Sequence, residues 1–427
     1  MVTNVRYREQ STMELDDVWA GTSAQFDVYT AEEDQFVAFY AADRSITVGQ
    51  RRLGEDQWTY ITLPEDRKVK WDAHNDLVLA VDEAGHVHLS GNMHVHPLKY
   101  YRTSKPVDVT TFERIETMVG SDEDRVTYPQ FIDGPDGELV YKYRDGSSGA
   151  GNWIYNVYDT TTQSWERLLD EPLTYGGDAM NAYPHGPMLG PDGRYHLCWV
   201  WRDHPGAQTN HDISYARSPD LRTWETAAGT PLSLPITINS GDLIDPVPPY
   251  GGMINGNTKI GFDYEDRIII SYHKFDADGN TQVYNARFEQ NRWHRYRTSD
   301  WQYRWAFGGG GSIPFEITIG PVERHDGSLV QTYDHIKYGA GKWVLDEKTL
   351  QPTAWYTPWN EYPPDITTVD SDRPDMQVNI ATDSGQPSDD RHYILRWEAL
   401  RPNRDRPRRE TPPPTKLTIH GFDFPDD

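Results

Sequence analysis

A chain of 427 residues with 66 acidic and 41 basic side chains carries a formal charge of -25, a surface that repels nucleic acid and excludes it as a partner. No run of 18 apolar residues is present, so no membrane-spanning helix and no membrane partner are expected, and a single cysteine, Cys198, excludes an internal disulfide framework. The first residues, MVTNVRYREQ, lack the apolar segment of a secretory signal, which leaves localisation open: cytoplasmic for a complete chain, secreted if a signal has been trimmed.

Along the chain, apolar runs alternate with turns rich in Asp and Gly. VWAGTSAQFDVYT (18–30) reads as an N-terminal strand. LVLAVDEAGHVHLSGN (77–92), FIDGPDGELVYKYRDG (131–146), MLGPDGRYHLCWVWRD (188–203), IGFDYEDRIIISYHKF (260–275) and VERHDGSLVQTYDH (322–335) each read as two strands joined by a tight turn. The D-G and E-A-G turns supply the positive φ that hairpins need. Closing aromatics follow at Trp58, Phe112, Trp165, Trp224, Trp293 and Trp343, at intervals of roughly fifty to seventy residues, which suits a four-stranded unit with its loops. Six units are visible. MQVNIATDSG and HYILRWEAL, near the C-terminus, can pair with the N-terminal strand into a seventh and remove the exposed sheet edges. The expected fold is therefore all-β, a seven-bladed β-propeller closed by its N- and C-terminal strands, with residues 1–400 as one domain. From Arg401 onward RPNRDRPRRETPPPT is Pro-rich and charged, so residues 401–427 are expected as an extended strap or disordered tail. Cys198, in HLCWVW, reads as a small hydrophobe in a buried strand. Only 11 of the basic residues are Lys, and this Arg-biased acidic surface is of the kind adapted to high salt.

Polar residues recur where the second strands end: Asn92 with His94, Arg144, Arg202, His273 and His335. The first strands and the turns before them add His74 and Asn75 in WDAHND, Tyr128 in VTYPQF, and Tyr183 with His185 in NAYPHGP. A Tyr before Pro is expected to be held extended. His74, His94, Tyr128 and Arg144 suit the removal of a carbon-bound proton beside a carboxylate. Imidazole and phenol exchange protons near neutral pH, and a fixed guanidinium neutralises the enolate that builds up. This chemistry requires no cofactor. Asn75, Asn92, Arg202 and His185 are candidate substrate contacts. His211, His273 and His335 are the candidate ligands of a structural cation, converging in the channel.

These residues carry a resemblance. WDAHND, SGNMHVHPL, TYPQF, YKYRDGSSGAGN, WERLLDEPL, GPDGRYHLCWVWRD and TNHDISYARSPDLRTWE resemble the BNR-4 type propeller proteins. Within that group they resemble the seven-bladed polysaccharide lyases that include ulvan lyases and a rhamnose-glucuronate lyase. The resemblance covers roughly residues 15–400. It implies His74 and His94 as proton-transfer or carboxylate-contacting residues, Tyr128 as the phenolic acid or base, Arg144 as neutraliser, and Tyr183 as a further active-site tyrosine. It also implies an acidic glycan or uronate oligosaccharide as partner, and some lyases of the group carry a structural zinc or calcium. SPDLRTW (218–224) looks like a degenerate Asp box, a structural mark that says nothing about activity. The expected function is cleavage of a uronic-acid glycan by β-elimination in a monomer. The alternatives are a sialidase-like hydrolase, which needs two catalytic carboxylates, and a non-catalytic carbohydrate-binding propeller. Asp72, Asp145 and Asp203 each adjoin a candidate site residue as groups that orient it.

Overall fold

In the computed structural model of the chain, residues 7–356 and 361–424 are described. Their secondary structure is all-β, with seven predominantly antiparallel sheets, one short α-helix, Pro364–Thr367, and two 3-10 turns, Val109–Thr111 and Ala207–Thr209. The turn chemistry read from the sequence is realised at each expected hairpin. Leu77–Val81 pairs with Val87–Gly91, Val126–Asp133 with Leu139–Ser147, and Asn181–Leu189 with Tyr195–Arg202. Lys259–Phe262 pairs with Ile268–Phe275, and Ile317–His325 with Ser328–His335. In every case the second strand is the more deeply buried, and Tyr195–Arg202 is buried along its whole length. Such a strand reads as a continuous apolar run rather than an alternating one.

Trp165 and Trp293 lie on the last strand of their sheets, and Phe112 opens the last strand of its own. Trp343 differs, standing on the third of four strands, Gly339–Leu345.

The sheet shared by the two termini is present with a different strand list from the one expected. Its order is Arg8–Val18, Thr415–Asp423, His392–Leu400, Met376–Thr382. The N-terminal partner is thus Arg8–Val18, while Asp27–Glu32 belongs to the next sheet beside Asp34–Tyr40. Thr415–Asp423, within the expected tail, is a central strand. Beyond the Pro-rich stretch, KLTIHGF alternates and places Leu417, Ile419 and Phe422 inside, so apolar burial outweighs the disorder-prone composition before it.

The chain divides into two compact units. One comprises residues 1–145, 156–167 and 359–427, the other residues 146–155 and 168–358. In the first, a core of aromatic and aliphatic side chains includes Phe26 stacked on Trp397 at 4.4 Å. In the second, Trp301, Trp305, Tyr333 and Trp343 pack together with Ile269 and Leu329. Two sheets of this second unit approach so closely that a Cβ on Gly261 would lie 2.2 Å from the Val322 carbonyl oxygen. No helix among the described residues is long and apolar enough to cross a membrane.

Candidate active site

In the first unit, the turn before strand Leu77–Val81 and the short strand His94–His96 bring His74 and His94 together. The rings stack with centroids 4.1 Å apart. One carboxylate holds both: Asp72 Oδ1 lies 2.8 Å from His74 Nδ1, and Oδ2 lies 2.6 Å from His94 Nδ1. Oδ1 also accepts the His74 backbone N–H at 2.9 Å. An ionised carboxylate only accepts, so both Nδ1 atoms donate and each ring turns Nε2 to its proton chemistry. Burial alone would raise the Asp72 carboxyl, but the two imidazoles outweigh it and hold it well below the usual carboxylate range. For His74, burial opposes the charged form; Asp72 foremost, then Asp405 and Asp76, outweigh it and raise the imidazole above its ordinary value. The side chains of His74, His94 and Asp72 remain 17%, 24% and 25% exposed, so the group is accessible.

Tyr128 joins it with its ring centroid 5.7 Å from that of His74. In the ladder, Thr127 faces Arg144 and Gln130 faces Lys142, which leaves Tyr128 and Pro129 as a bulge. The extended conformation expected for Tyr128 is not adopted. Its φ is +58°, left-handed and costly for an aromatic residue, and the bulge re-aims the side chain toward the imidazoles. Arg144 places its guanidinium carbon 4.9 Å from the Tyr128 ring centroid and donates to Thr127 Oγ1 at 3.0 Å. It is fully buried, at 0% exposure, so its charge is delivered from beneath Tyr128 rather than by an open guanidinium. Lys142, two residues earlier on the same strand, is pushed down to about 7 by burial.

Asn75 and Asn92 do not present their amides to a ligand. Both are completely buried, and Arg67 donates to Asn75 Oδ1 at 3.0 Å and to Asn92 Oδ1 at 3.1 Å. Asn92 donates in turn to Glu65 at 2.9 Å, and Asn75 to the Asp72 carbonyl at 2.9 Å. They are the frame that fixes the Asp72 turn.

The second unit contains its own polar group. Arg202 donates to the Tyr183 hydroxyl at 3.2 Å, to Ser148 Oγ at 3.3 Å and to Asn210 Oδ1 at 3.0 Å, with its guanidinium carbon 4.1 Å from the Tyr183 ring centroid. Ser148 and Tyr183 share a hydrogen bond of 2.6 Å. His185, half-buried, faces Cys198 across the ladder. Cys198 is buried, and burial pushes its thiol up to about 12, as befits a small core hydrophobe.

His211, His273 and His335 do not converge. His211 lies between Asp203 at 2.9 Å and Asp212 at 3.0 Å. His273 packs on Trp305, where burial drives it down to about 4, and His335 sits against Trp301, Tyr303 and Tyr338. Aromatic packing claims the last two rings, so these residues do not fit a bound cation. Among the described residues, Asp72, His74 and His94 alone form a group compact enough for a metal ion. Each Nδ1 there already donates to Asp72, and as built the group is a hydrogen-bonded relay.

Sequence reasoning missed three participants. Asp405 accepts from the Ala73 N–H at 3.2 Å and lies 3.4 Å from His74 Nδ1; Arg67 and Ser148 are the others. Only Ser148 had a local signal, in the Gly-rich RDGSSGAGN.

The model of a family described as BNR repeat-containing matches residues 34–301. Among characterised proteins, the short isoform of ulvan lyase from Alteromonas sp. (strain LOR) is 29% identical over 156 residues, 31% of this chain and 29% of that protein. A long isoform from Pseudoalteromonas sp. (strain PLSV) is 26% identical over 141 residues, 30% of this chain and 14% of that one. The matches therefore span less than a third of either relative. Among solved structures, the polysaccharide lyase Uly1 superposes with a TM-score of 0.66 at 13% identity, covering 98% of this chain and 100% of that one. A PL25 ulvan lyase bound to -[GlcA(1-4)Rha3S]- gives 0.61 at 13% identity, covering 96% and 95%.

Proposed function

We propose that this chain, which belongs to the BNR repeat-containing family, is a polysaccharide lyase that cleaves a rhamnose-uronate glycan by β-elimination on a seven-bladed propeller. Seven sheets, one of them shared by the termini, support the blade count, and the likeness to a solved lyase supports the fold. The observation that carries the chemistry is the accessible Asp72–His74–His94 relay beside a strained Tyr128 stacked on Arg144.

In the proposed reaction the His74 imidazolium, favoured by its carboxylate neighbours, pairs with the uronate carboxylate and takes up enolate charge. It fills the neutralising role expected of Arg144, which is fully buried. Tyr128, whose negative charge Arg144 stabilises from below, takes the proton from the carbon next to the carboxylate. The electron pair forms the ring double bond, the glycosidic C–O bond breaks, and the departing oxygen receives a proton from the phenol. His94, tied to the same carboxylate, completes the polar wall. Tyr183, Arg202 and His185 are the second unit's candidate glycan contacts. A structural zinc or calcium has no support at His211, His273 and His335.

A hydrolase fits less well. It needs a carboxylic acid that stays protonated to donate, whereas Asp72 is held ionised by two imidazoles. The test is product formation on ulvan, gum arabic and other uronate glycans. A lyase gives an unsaturated uronate with new ultraviolet absorbance, a hydrolase gives cleavage without it, and a binding module gives retention without cleavage.

A further inference from the structure

The Pro-rich stretch after Arg401 has a task beyond leading the chain to its last strand. Arg404 and Asp405 are consecutive non-glycine residues in the left-handed region, at φ +54° and +60°. Such backbone is costly and persists only where the surroundings over-determine it. The surroundings are on hand: Arg401 N–H bonds to the Asp375 carbonyl at 2.9 Å, Arg408 pairs with Asp375 at 3.1 Å, and Arg408 donates to the Arg401 carbonyl at 2.7 Å. What the strained turn delivers is one carboxylate, 14% exposed, with Oδ1 on the Ala73 N–H and Oδ2 3.4 Å from His74 Nδ1.

From this geometry we infer that Asp405 is a positioning residue of the active site: the C-terminal strap reaches back and, with Asp72, clamps the His74 imidazole between two carboxylates. Asp72 at 2.8 Å takes the Nδ1–H directly, and Asp405 brings a second carboxylate to 3.4 Å from that nitrogen and pins the backbone one residue earlier. With Asp72 alone, the ring keeps its hydrogen bond but gains room to swing about it. With both, Nε2 points one way. The His74 environment comprises Asp72, Asp405 and Asp76, the stacked His94 and Tyr128.

The inference rests on the lyase reading for its kinetic arm and stands apart from it in its spectroscopic arm. In full-length Asp405→Ala, kcat on a cleaved uronate glycan is expected to fall about ten- to hundredfold with KM within about threefold. Asp405→Glu, which keeps a carboxylate with an oxygen for each N–H group, is expected to recover at least half of the logarithmic loss. Arg408→Ala, which loosens the turn that presents Asp405, is expected to move both readouts in the same direction by a smaller factor. In the resting protein, the His74 Nδ1–H proton should exchange with water about tenfold faster in Asp405→Ala than in the parent. That proton is read by nitrogen-edited NMR and assigned with His74→Gln. Unchanged exchange overturns the clamp whether or not the protein proves to be a lyase. A kcat loss that Asp405→Glu does not relieve also overturns it by assigning the strap a merely structural role.

Discussion

Replacing Asp72 by Asn is the most informative single perturbation, because one carboxylate serves two imidazoles. The carboxylate accepts from His74 Nδ1 at 2.8 Å and from His94 Nδ1 at 2.6 Å. An amide in its place offers one acceptor and one donor, so one imidazole keeps its partner and the other meets an N–H. That ring must give up its Nδ1 proton, and with it any positive charge offered to the uronate, or turn away. Hydrogen bonds to a charged partner contribute about 1.5–3 kcal/mol each. Losing the charge on both and the geometry of one places about 3–6 kcal/mol at risk, which at 1.36 kcal/mol per tenfold corresponds to roughly 10²- to 10⁴-fold in kcat. The assay is the initial rate of unsaturated-uronate formation at saturating glycan, alongside the thermal midpoint to establish folding. A folded Asp72→Asn protein whose kcat stays within tenfold of the parent would refute the relay.

Four further outcomes follow from the same structure. Arg144→Lys keeps the charge but loses the flat stack on Tyr128 and the bond to Thr127, so kcat should drop by about tenfold or more with KM little changed; wild-type kinetics would remove Arg144 from the site. Asn92→Ala should lower the thermal midpoint by several degrees while the folded protein keeps its KM for a cleaved glycan, since Asn92 is bonded to Arg67 and Glu65 rather than turned to a ligand; a raised KM with intact stability would restore it as a substrate contact. Asp27 is driven up to about 8, chiefly by burial. A folded value raised above the unfolded one gives stability that is full below about pH 4 and is lost as pH rises through about 8. Asp27→Asn should therefore flatten the fall of the thermal midpoint between pH 4 and pH 8; an unaltered slope contradicts the assignment. Gly261→Val should cost several degrees of thermal midpoint, because even a Cβ there meets the Val322 carbonyl at 2.2 Å; a tolerated valine would mean the two sheets are not so closely apposed.

The hairpins were legible because Asp-Gly turns and apolar runs are local features, and a hairpin needs little beyond them. The identities of His74, His94, Tyr128 and Arg144 were legible as a set of side-chain types with one chemical use, and Asp72 was legible as a neighbour able to orient. The local conformations were harder. Tyr128 before Pro129 reads as extended from the dipeptide alone, yet the mismatch between Thr127–Arg144 and Gln130–Lys142 makes a bulge and a left-handed residue, which only the paired strand can dictate. Asn75 and Asn92 look like ligand contacts in a string of letters, and nothing local reveals that Arg67 occupies them. Asp405 was beyond reach altogether. It meets Ala73 across 332 residues of sequence, and its own neighbourhood has the composition of a disordered tail. Burial of Leu417, Ile419 and Phe422 anchors that segment, a tertiary effect that composition hides.

β-Elimination is tested most directly by the structure of the new non-reducing end after cleavage of a rhamnose-uronate glycan. Proton NMR and mass spectrometry of purified products should show a vinylic proton on the terminal uronate and a summed product mass equal to that of the substrate. A saturated end that has gained the elements of water would contradict β-elimination and the roles assigned to His74 and Tyr128.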